Sequence, residues 1–114
     1  MFANIKYSAI IFAALVAAAN AVVVNIYHDS GCEDFAGQRN VWDNTCAPTG
    51  SFSSFQMVSG GATGQVLRAY SRNACVVPET ACARAYGNVF DTRCHEAYND
   101  AGASNALGSW FGSC

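Results

Sequence analysis

Two stretches of the sequence share one pattern, Val24-Asn25-Ile26-Tyr27-His28-Asp29-Ser30-Gly31-Cys32 and Leu67-Arg68-Ala69-Tyr70-Ser71-Arg72-Asn73-Ala74-Cys75. The second lies 43 positions after the first, and each places a tyrosine five residues before a cysteine. In both, residues before the tyrosine alternate in the same phase, which is typical of a half-buried β-strand. The residues between tyrosine and cysteine favour a turn. The pattern therefore predicts a strand followed by a turn in each half.

Later landmarks recur in the same order. Cys46 precedes a serine-headed apolar segment at Ser54, and Cys94 precedes a similar one at Ser104. We interpret the chain as one mostly β domain made of two related halves, at about residues 22–60 and 64–114, although a short match can also arise by chance. One short helix at most is expected, around residues 80–86, because three alanines there give adequate helix propensity.

The first 21 residues have the three regions of a secretory signal peptide. Lys6 is followed by an apolar run and then by Ala19-Asn20-Ala21, a small-x-small cleavage site. Even counted from Tyr7 to Ala19 the run has 13 residues, whereas a membrane anchor needs about 20. We therefore expect cleavage after Ala21 and a secreted, extracellular product, residues 22–114, without a transmembrane segment.

Composition excludes several classes of protein. The chain has 114 residues, a formal net charge of -2, 52% hydrophobic and 12% charged residues. These values argue against a multidomain enzyme and against a disordered tail. The weak acidity gives no reason to expect binding to nucleic acid or a cationic membrane-lytic action.

All six cysteines lie after the cleavage site, which favours three disulfides. Small secreted domains have marginal cores and commonly depend on such cross-links. No Cys-x-x-Cys pair suggests zinc, and an even number leaves no spare thiol as a nucleophile. Spacing alone leaves 15 connectivities open. The cysteines are Cys32, Cys46, Cys75, Cys82, Cys94 and Cys114.

Each half resembles a Greek-key motif of the βγ-crystallin-like superfamily. That motif has an aromatic in its first hairpin, a nearby glycine and a serine that begins a later strand. Tyr27, Gly37 and Ser54 match it in the first half, and Tyr70 and Ser104 match it in the second, where no glycine clearly corresponds. The chain also resembles fungal small secreted cysteine-rich proteins, some of which have a killer-toxin-like version of this fold. The resemblance implies a two-sheet β-sandwich without a catalytic centre or cofactor.

The family's calcium signature is the only metal hypothesis that the resemblance raises. Asn99-Asp100-Ala101-Gly102-Ala103-Ser104 matches that signature except at Ala103. Calcium needs six to eight oxygen ligands, so the missing hydroxyl weakens an already sparse set. A polar turn at Asn99 and Asp100 is the alternative, and our main expectation is that no metal binds.

The correspondence between the halves also suggests a disulfide pairing. Cys32 matches Cys75 and Cys46 matches Cys94, so bridges within each half would be Cys32–Cys46 and Cys75–Cys94. Cys82 and Cys114 would then form the third bridge. This pairing is a hypothesis that peptide mapping under non-reducing conditions tests.

A small hydrolase such as a ribonuclease is an alternative function. It would use histidines or acids for proton transfer and arginine to hold phosphate. His28 and His95 are present, but neither lies in a diagnostic motif. The simpler interpretation is that both are surface residues beside hairpins.

The aromatic residues suggest a binding surface. Alternation along residues 107–111 places Leu107, Ser109 and Phe111 on one face and Trp110 on the other, so Trp110 is our candidate surface residue. Trp42 and Phe111 are further candidates, although large aromatics more often fill the core of a small sandwich.

Together these features favour a secreted non-enzymatic protein that acts on other cells, as a host-directed effector or as an antimicrobial or killer-type toxin. A cell-wall or carbohydrate-binding protein is the alternative. The sequence does not identify the target or the oligomeric state.

Overall fold

The computed structural model describes residues 20–87 and 89–114 and contains eight β-strands and no helix in these ranges. The predicted signal peptide therefore lies outside the described residues, apart from Asn20 and Ala21. The strands are β1 (Ala21–Tyr27), β2 (Phe35–Trp42), β3 (Thr45–Phe52), β4 (Ser54–Ser59), β5 (Gln65–Tyr70), β6 (Glu79–Arg84), β7 (His95–Glu96) and β8 (Ser104–Phe111).

The strands form two antiparallel sheets of four strands each. The first sheet has the order β2-β1-β4-β7 and the second has the order β3-β8-β5-β6. Each sheet thus takes three strands from one half of the chain and one from the other, because β3 joins the second sheet and β7 joins the first. Each strand of the first half corresponds to the strand four places later in the second half, so that β3 corresponds to β7. Exchanging corresponding strands turns the order β2-β1-β4-β7 into β6-β5-β8-β3, which is the second sheet listed from its other edge. The two halves therefore have equivalent topologies.

The core lies between the two sheets and is filled by the alternate residues that face inwards. In β1 these are Val24 and Ile26, and in β5 they are Leu67 and Ala69, all at most 2% exposed. The alternation predicted from the repeated pattern is therefore confirmed for both strands. The predicted all-β, disulfide-stabilised sandwich is confirmed as well. The other members of the core cluster are Val22, Val41, Phe52, Phe55, Met57, Ala83, Ala85, Ala97 and Leu107.

The helix expected at residues 80–86 is wrong, because this segment contains most of β6. Ala81 pairs with Ala69 and Ala83 pairs with Leu67 across the ladder between β5 and β6. The alanines recur at every second position, so a strand directs them all towards the core, where Ala83 and Ala85 are buried. Pairing with a neighbouring strand therefore outweighs a helix propensity that is only modest over so short a span.

The three disulfides are confirmed, but two of the three proposed pairs are wrong. The bridges are Cys32–Cys94, Cys46–Cys75 and Cys82–Cys114, with Cα atoms 5.6 to 5.9 Å apart. Because β3 belongs to the second sheet, Cys46 lies near Cys75 rather than near Cys32. Cys94 precedes β7 and so lies beside the first sheet, within reach of Cys32. The first two bridges therefore join the two halves, and only Cys82–Cys114 was predicted correctly.

Two buried serines begin corresponding strands and hold the loops beside them. Ser54 is fully buried, and its hydroxyl donates to Asp29 O at 2.6 Å and accepts from Cys32 N at 3.0 Å. Ser104 is also fully buried and donates to Ala97 O at 2.6 Å. The Ser54 hydroxyl satisfies two partly buried backbone groups and the Ser104 hydroxyl one buried carbonyl, so both serines fix a loop against a strand.

We expect Ser54→Ala to destabilise the protein by about 1–3 kcal/mol, since it leaves the Asp29 carbonyl and the Cys32 amide without their partner. Urea denaturation of the oxidised protein measures this change. Ser51→Ala is a suitable control, because Ser51 is exposed on β3 and such substitutions usually change stability by less than about 0.5 kcal/mol. Equal stability of the two variants would contradict the role assigned to Ser54.

Candidate functional site

The two histidines proposed for acid–base chemistry lie in different environments. His28 is exposed and follows β1. His95 pairs with Phe55 across the ladder, and the two rings stack with centroids 5.1 Å apart. His95 Nε2 is buried and lies 3.5 Å from Asp91 Oδ2, longer than a well-formed hydrogen bond. His95 therefore packs against the core, and its buried nitrogen is poorly placed to exchange protons with a substrate.

The carboxylate of Asp91 lies beside His95 and forms an ion pair with Arg93. Arg93 donates to it from Nη2 at 2.7 Å and from Nε at 3.0 Å. These hydrogen bonds hold the pKa of the Asp91 carboxyl well below its usual range, with a further contribution from the Arg93 backbone N–H. An acid held ionised in this way stabilises a loop and is unsuited to donating a proton near neutral pH.

We expect Asp91→Asn to lower stability by a few tenths to about 1 kcal/mol at neutral pH, because Arg93 is largely exposed and the pair is screened by solvent. A carboxyl whose pKa is depressed by folding stabilises the native state above the unfolded pKa, here 3.8. That contribution is lost as the pH falls below this value through the folded pKa. The difference between wild type and variant should therefore shrink in urea titrations below about pH 4. Arg93→Gln should reproduce this profile, whereas a pH-independent difference would exclude the mechanism.

The candidate calcium ligands are placed in a hydrogen-bonded turn. Asn99 Oδ1 accepts from Ala101 N at 2.8 Å, and Asn99 Nδ2 donates to Glu79 O at 3.3 Å. Asp100 is exposed beside them, and the Ser104 hydroxyl is buried on Ala97 O. Two of the three side chains therefore serve the local structure. Within the described residues, no group of three or more His, Cys, Asp or Glu is placed to hold a metal ion.

Trp110 lies on the outer face of the second sheet, as alternation along β8 predicts. Leu107 and Ser109 are fully buried, whereas Trp110 is half-buried and donates from Nε1 to the Tyr70 hydroxyl at 3.0 Å. Its indole covers Gly108, where an added Cβ would clash with Nε1. Trp110 is therefore packed flat on the sheet with its polar atom occupied. Its role as a binding residue stays a prediction.

Phe111 differs from the expected alternation. It was expected to share the inward face of Leu107 and Ser109, but it is 77% exposed at the end of β8. Its ring packs over Gly64, where an added Cβ would clash with Phe111 Cε2. The strand leaves the core at this point, so the inward position no longer lies between the sheets.

A shallow depression lies at the edge of the second sheet, beside the C-terminus. Its volume is about 220 Å³, and it is lined by Val66, Arg84, Tyr86, Gly112, Ser113 and Cys114. Arg84 and Tyr86 are the only ionisable side chains among these residues, and Arg84 is the only one charged near neutral pH. The depression is thus too small for most ligands, which occupy about 300–1,000 Å³, and its lining holds no acid–base pair.

The outer face of the first sheet carries a row of side chains with binding chemistry. Asn25 on β1 pairs with Gln38 on β2 and with Gln56 on β4, so three amides lie in one row across three strands. Asn25 and Gln56 are each flanked along their strands by buried residues, and Gln38 lies on their side of the sheet because it pairs with Asn25. We call this surface the amide face and define it as Ala21, Val23, Asn25, Gln38, Asn40, Trp42, Gln56 and Val58.

Hydrogen bonds hold the row of amides in place. Gln38 Nε2 donates to Asn25 Oδ1 at 2.9 Å, and Gln56 Nε2 donates to Thr92 O at 2.8 Å. Along β2, exposed Asn40 and Trp42 continue the same side of the strand, with buried Val41 between them. From Gln38 to Trp42 the strand advances about 13 Å at 3.3 Å per residue. The face therefore combines a fixed amide row with an aromatic at one end.

The amide face contains no ionised side chain. Arg39 is the one charged residue in β2, and its guanidinium lies at the sheet edge, where Nη2 donates to Thr49 O at 3.3 Å in the opposite sheet. Glu96 lies next to Ser54 at the other end of the sheet from Trp42. A ligand on this face would contact neutral donors and acceptors together with the indole of Trp42, which is 48% exposed.

Sequence reasoning identified Trp42 as a candidate but missed the amides. A signal was present, since Val24 and Ile26 were predicted to face inwards and Asn25 must then face outwards. No comparable pattern marks β2, which alternates weakly and contains glycine and arginine. The row became visible only once the register of three strands was known.

Comparison with protein-family models, with curated proteins and with solved structures gives no match for this chain. Among the residues that the structure describes, no helix is long and apolar enough to cross a bilayer. The three disulfides are compatible with an extracellular protein. A function must therefore be inferred from the residues themselves.

Proposed function

We propose that this is a secreted, non-enzymatic protein that acts on other cells by binding to them, as a host-directed effector or as an antimicrobial or killer-type toxin. The amide face is the observation that carries the proposal. It offers neutral hydrogen-bonding groups and an exposed indole on a cross-linked scaffold. A rigid surface of this kind binds with little loss of conformational entropy.

The arrangement of ionisable groups also supports a binding role over hydrolysis. His95 is stacked on Phe55, Asp91 is paired with Arg93, and Arg68 is paired with Glu79 at 2.7 Å. Acid–base catalysis needs such groups to converge on a substrate. Here each of these pairs instead fixes a strand or a loop.

The topology supports the resemblance to Greek-key βγ-crystallin-like proteins as a proposal about the fold family. Each half pairs its fourth strand with its first and gives its third strand to the opposite sheet. The two tyrosines that carry the resemblance, Tyr27 and Tyr70, end β1 and β5 and are less than a tenth exposed. Ser54 and Ser104 begin corresponding strands in the two halves.

The test is exposure of fungal, bacterial and plant cells to the oxidised mature protein, with dye uptake, growth and host responses as readouts. Reduced and alkylated protein is the control, because it lacks the cross-links that hold the face together. An effect on microbes that disappears on reduction supports the toxin role, and a plant response alone supports the effector role. No response in any cell type would overturn the proposal that the protein acts on other cells.

A cell-wall or carbohydrate-binding role is the second candidate, and the uncharged character of the amide face specifically favours it. A wall-associated protein would be retained by insoluble polysaccharide and would leave cells intact. An effector or toxin would alter the cell that it binds, whereas a wall-associated protein would not, and both would bind at the cell surface.

A further inference from the structure

We propose that the amide face binds a neutral polysaccharide, with Trp42 packing against sugar rings and the amides of Asn25, Gln38, Asn40 and Gln56 bonding to hydroxyl groups. This inference deepens the proposed function, because it names the chemical class of the surface ligand. The site lies on the outer face of the first sheet, whereas Trp110 lies on the second sheet.

The free ends of the amides match a hydroxyl-rich ligand. Within the described part of the chain, the row's side-chain hydrogen bonds use Asn25 Oδ1 and the Nε2 atoms of Gln38 and Gln56. Asn25 Nδ2 and the two Oε1 atoms are therefore available to a ligand. A hydroxyl both donates and accepts, so a sugar can satisfy both kinds of group.

Trp42 supplies the apolar part of the site. It pairs with Ala21, whose side chain is small, and the indole is about half exposed. The indole is a large rigid surface that a sugar ring can cover on its apolar side. Asn40 is two residues away on the same side of β2, about 7 Å along the strand. A ring seated on Trp42 would thus have an amide beside it.

The charge of the face argues for a neutral ligand. Anionic polymers such as nucleic acid or polygalacturonate are bound mainly by arginine and lysine, and no residue of the amide face carries a charge. A protein partner would need several apolar anchors at the centre of the contact. Here the centre is the row of amides, and the exposed apolar residues lie apart from one another, Trp42 and Val58 towards one end of the sheet and Phe35 at the other. Protein partners therefore fit the surface less well.

The first test is co-sedimentation of the oxidised protein with insoluble β-1,3-glucan, chitin and cellulose, with polygalacturonate as the anionic comparison. We expect retention on at least one neutral polymer, and Trp42→Ala should weaken it by about tenfold or more, as for an aromatic anchor. Trp110→Phe is the matched control on the other sheet and should bind like wild type. No retention on any neutral polymer, equal retention by Trp42→Ala, or a preference for polygalacturonate would overturn the inference.

Two further measurements keep the test decisive. If Trp42→Ala does not fold, Asn40→Arg replaces it, because Asn40 is exposed and a long charged side chain would cover the face. In Trp110→Phe, Trp42 is the only tryptophan left, so its fluorescence should change when soluble oligosaccharides of the retained polymer are added. Unchanged fluorescence at saturation would contradict stacking on Trp42.

The cell assay separates this inference from the proposed function. Cells that respond equally to wild type and Trp42→Ala, with no polysaccharide retention, would leave the proposed function standing and overturn the polysaccharide site. Retention that depends on Trp42, without any cellular response, would support the site and overturn the proposal that the protein acts on other cells.

Discussion

Replacing both cysteines of the Cys32–Cys94 bridge, as Cys32→Ser with Cys94→Ser, is expected to cost about 4 kcal/mol of stability. The bridge joins residues 62 positions apart, the longest separation of the three disulfides. In the chain-entropy model a loop of this length restricts the unfolded state by about that amount. For a domain of this size the loss corresponds to a melting temperature lower by roughly 15–30 °C.

The native structure gives a second reason for a large effect. Cys94 immediately precedes β7, which has two residues and pairs with β4 only at Ser54 and Phe55. Without the bridge, this short edge strand depends on its two ladder pairs, on the hydrogen bond from Ala97 N to Ser53 O at 2.8 Å and on the stack of His95 on Phe55. Hydrogen exchange should therefore show loss of protection around residues 95–97, in addition to the lower melting temperature.

The bridge at the C-terminus provides the control. Cys82–Cys114 ties down a tail that follows β8, and β8 itself is paired on both sides. Replacing both of these cysteines by serine should loosen mainly residues 112–114. Faster exchange at β7 in the control variant, or unchanged stability without Cys32–Cys94, would contradict this assignment. Peptide mapping of the wild type under non-reducing conditions checks the three pairs directly.

The disulfides show where sequence reasoning succeeds and where it fails. The observed bridges are consistent with the match of Cys32 with Cys75 and of Cys46 with Cys94. Each bridge joins the earlier cysteine of one matched set, Cys32 or Cys75, to the later cysteine of the opposite half, Cys94 or Cys46. What the sequence could not supply was the exchange of β3 and β7 between sheets. That exchange is a long-range property, whereas periodicity reports only on the faces of a single strand.

The same limit explains the other outcomes. The phase of β1 and β5 was predictable because apolar and polar residues alternate there, and burial of Val24 and Leu67 depends on that phase alone. Residues 80–86 contain alanine at alternate positions, a spacing compatible with a strand and a composition compatible with a helix. Pairing with β5 decided between them. The amide face likewise depends on the register between strands, which a single sequence does not encode in a readable pattern.

The cross-links and the core stabilise different parts of the same site. Asn25 and Gln56 project outwards from β1 and β4, while the residues beside them, Ile26 and Phe55, face inwards and pair across the same ladder. The positions of the outward amides are therefore set by how the inward side chains pack. A loosened core would disturb the amide row even though no residue of the row had been changed.

Phe55→Ala tests this dependence and is expected to destabilise the protein by about 3–5 kcal/mol. Phe55 is fully buried, is among the largest side chains in the core and stacks on His95 at 5.1 Å. Its removal leaves a cavity in the core beside β4 and β7 that neighbouring side chains can fill only in part. Because small domains commonly have only 5–15 kcal/mol of stability in total, much of the margin would be lost. Urea denaturation with the disulfides intact measures the change.

Phe111→Ala is the matched control, because the same chemical change at a residue 77% exposed removes little buried surface. It should alter stability by no more than about 0.5 kcal/mol. If Phe55→Ala folds, its retention on a neutral polysaccharide should fall relative to Phe111→Ala, since β4 carries Gln56 on its outer side. A loss below about 1 kcal/mol for Phe55→Ala, compared with the usual range for buried phenylalanine, would mean that the sandwich does not depend on this contact. In that case the position of β7 would be determined by the Cys32–Cys94 bridge and by the hydrogen bonds around Ala97 rather than by the stack on Phe55.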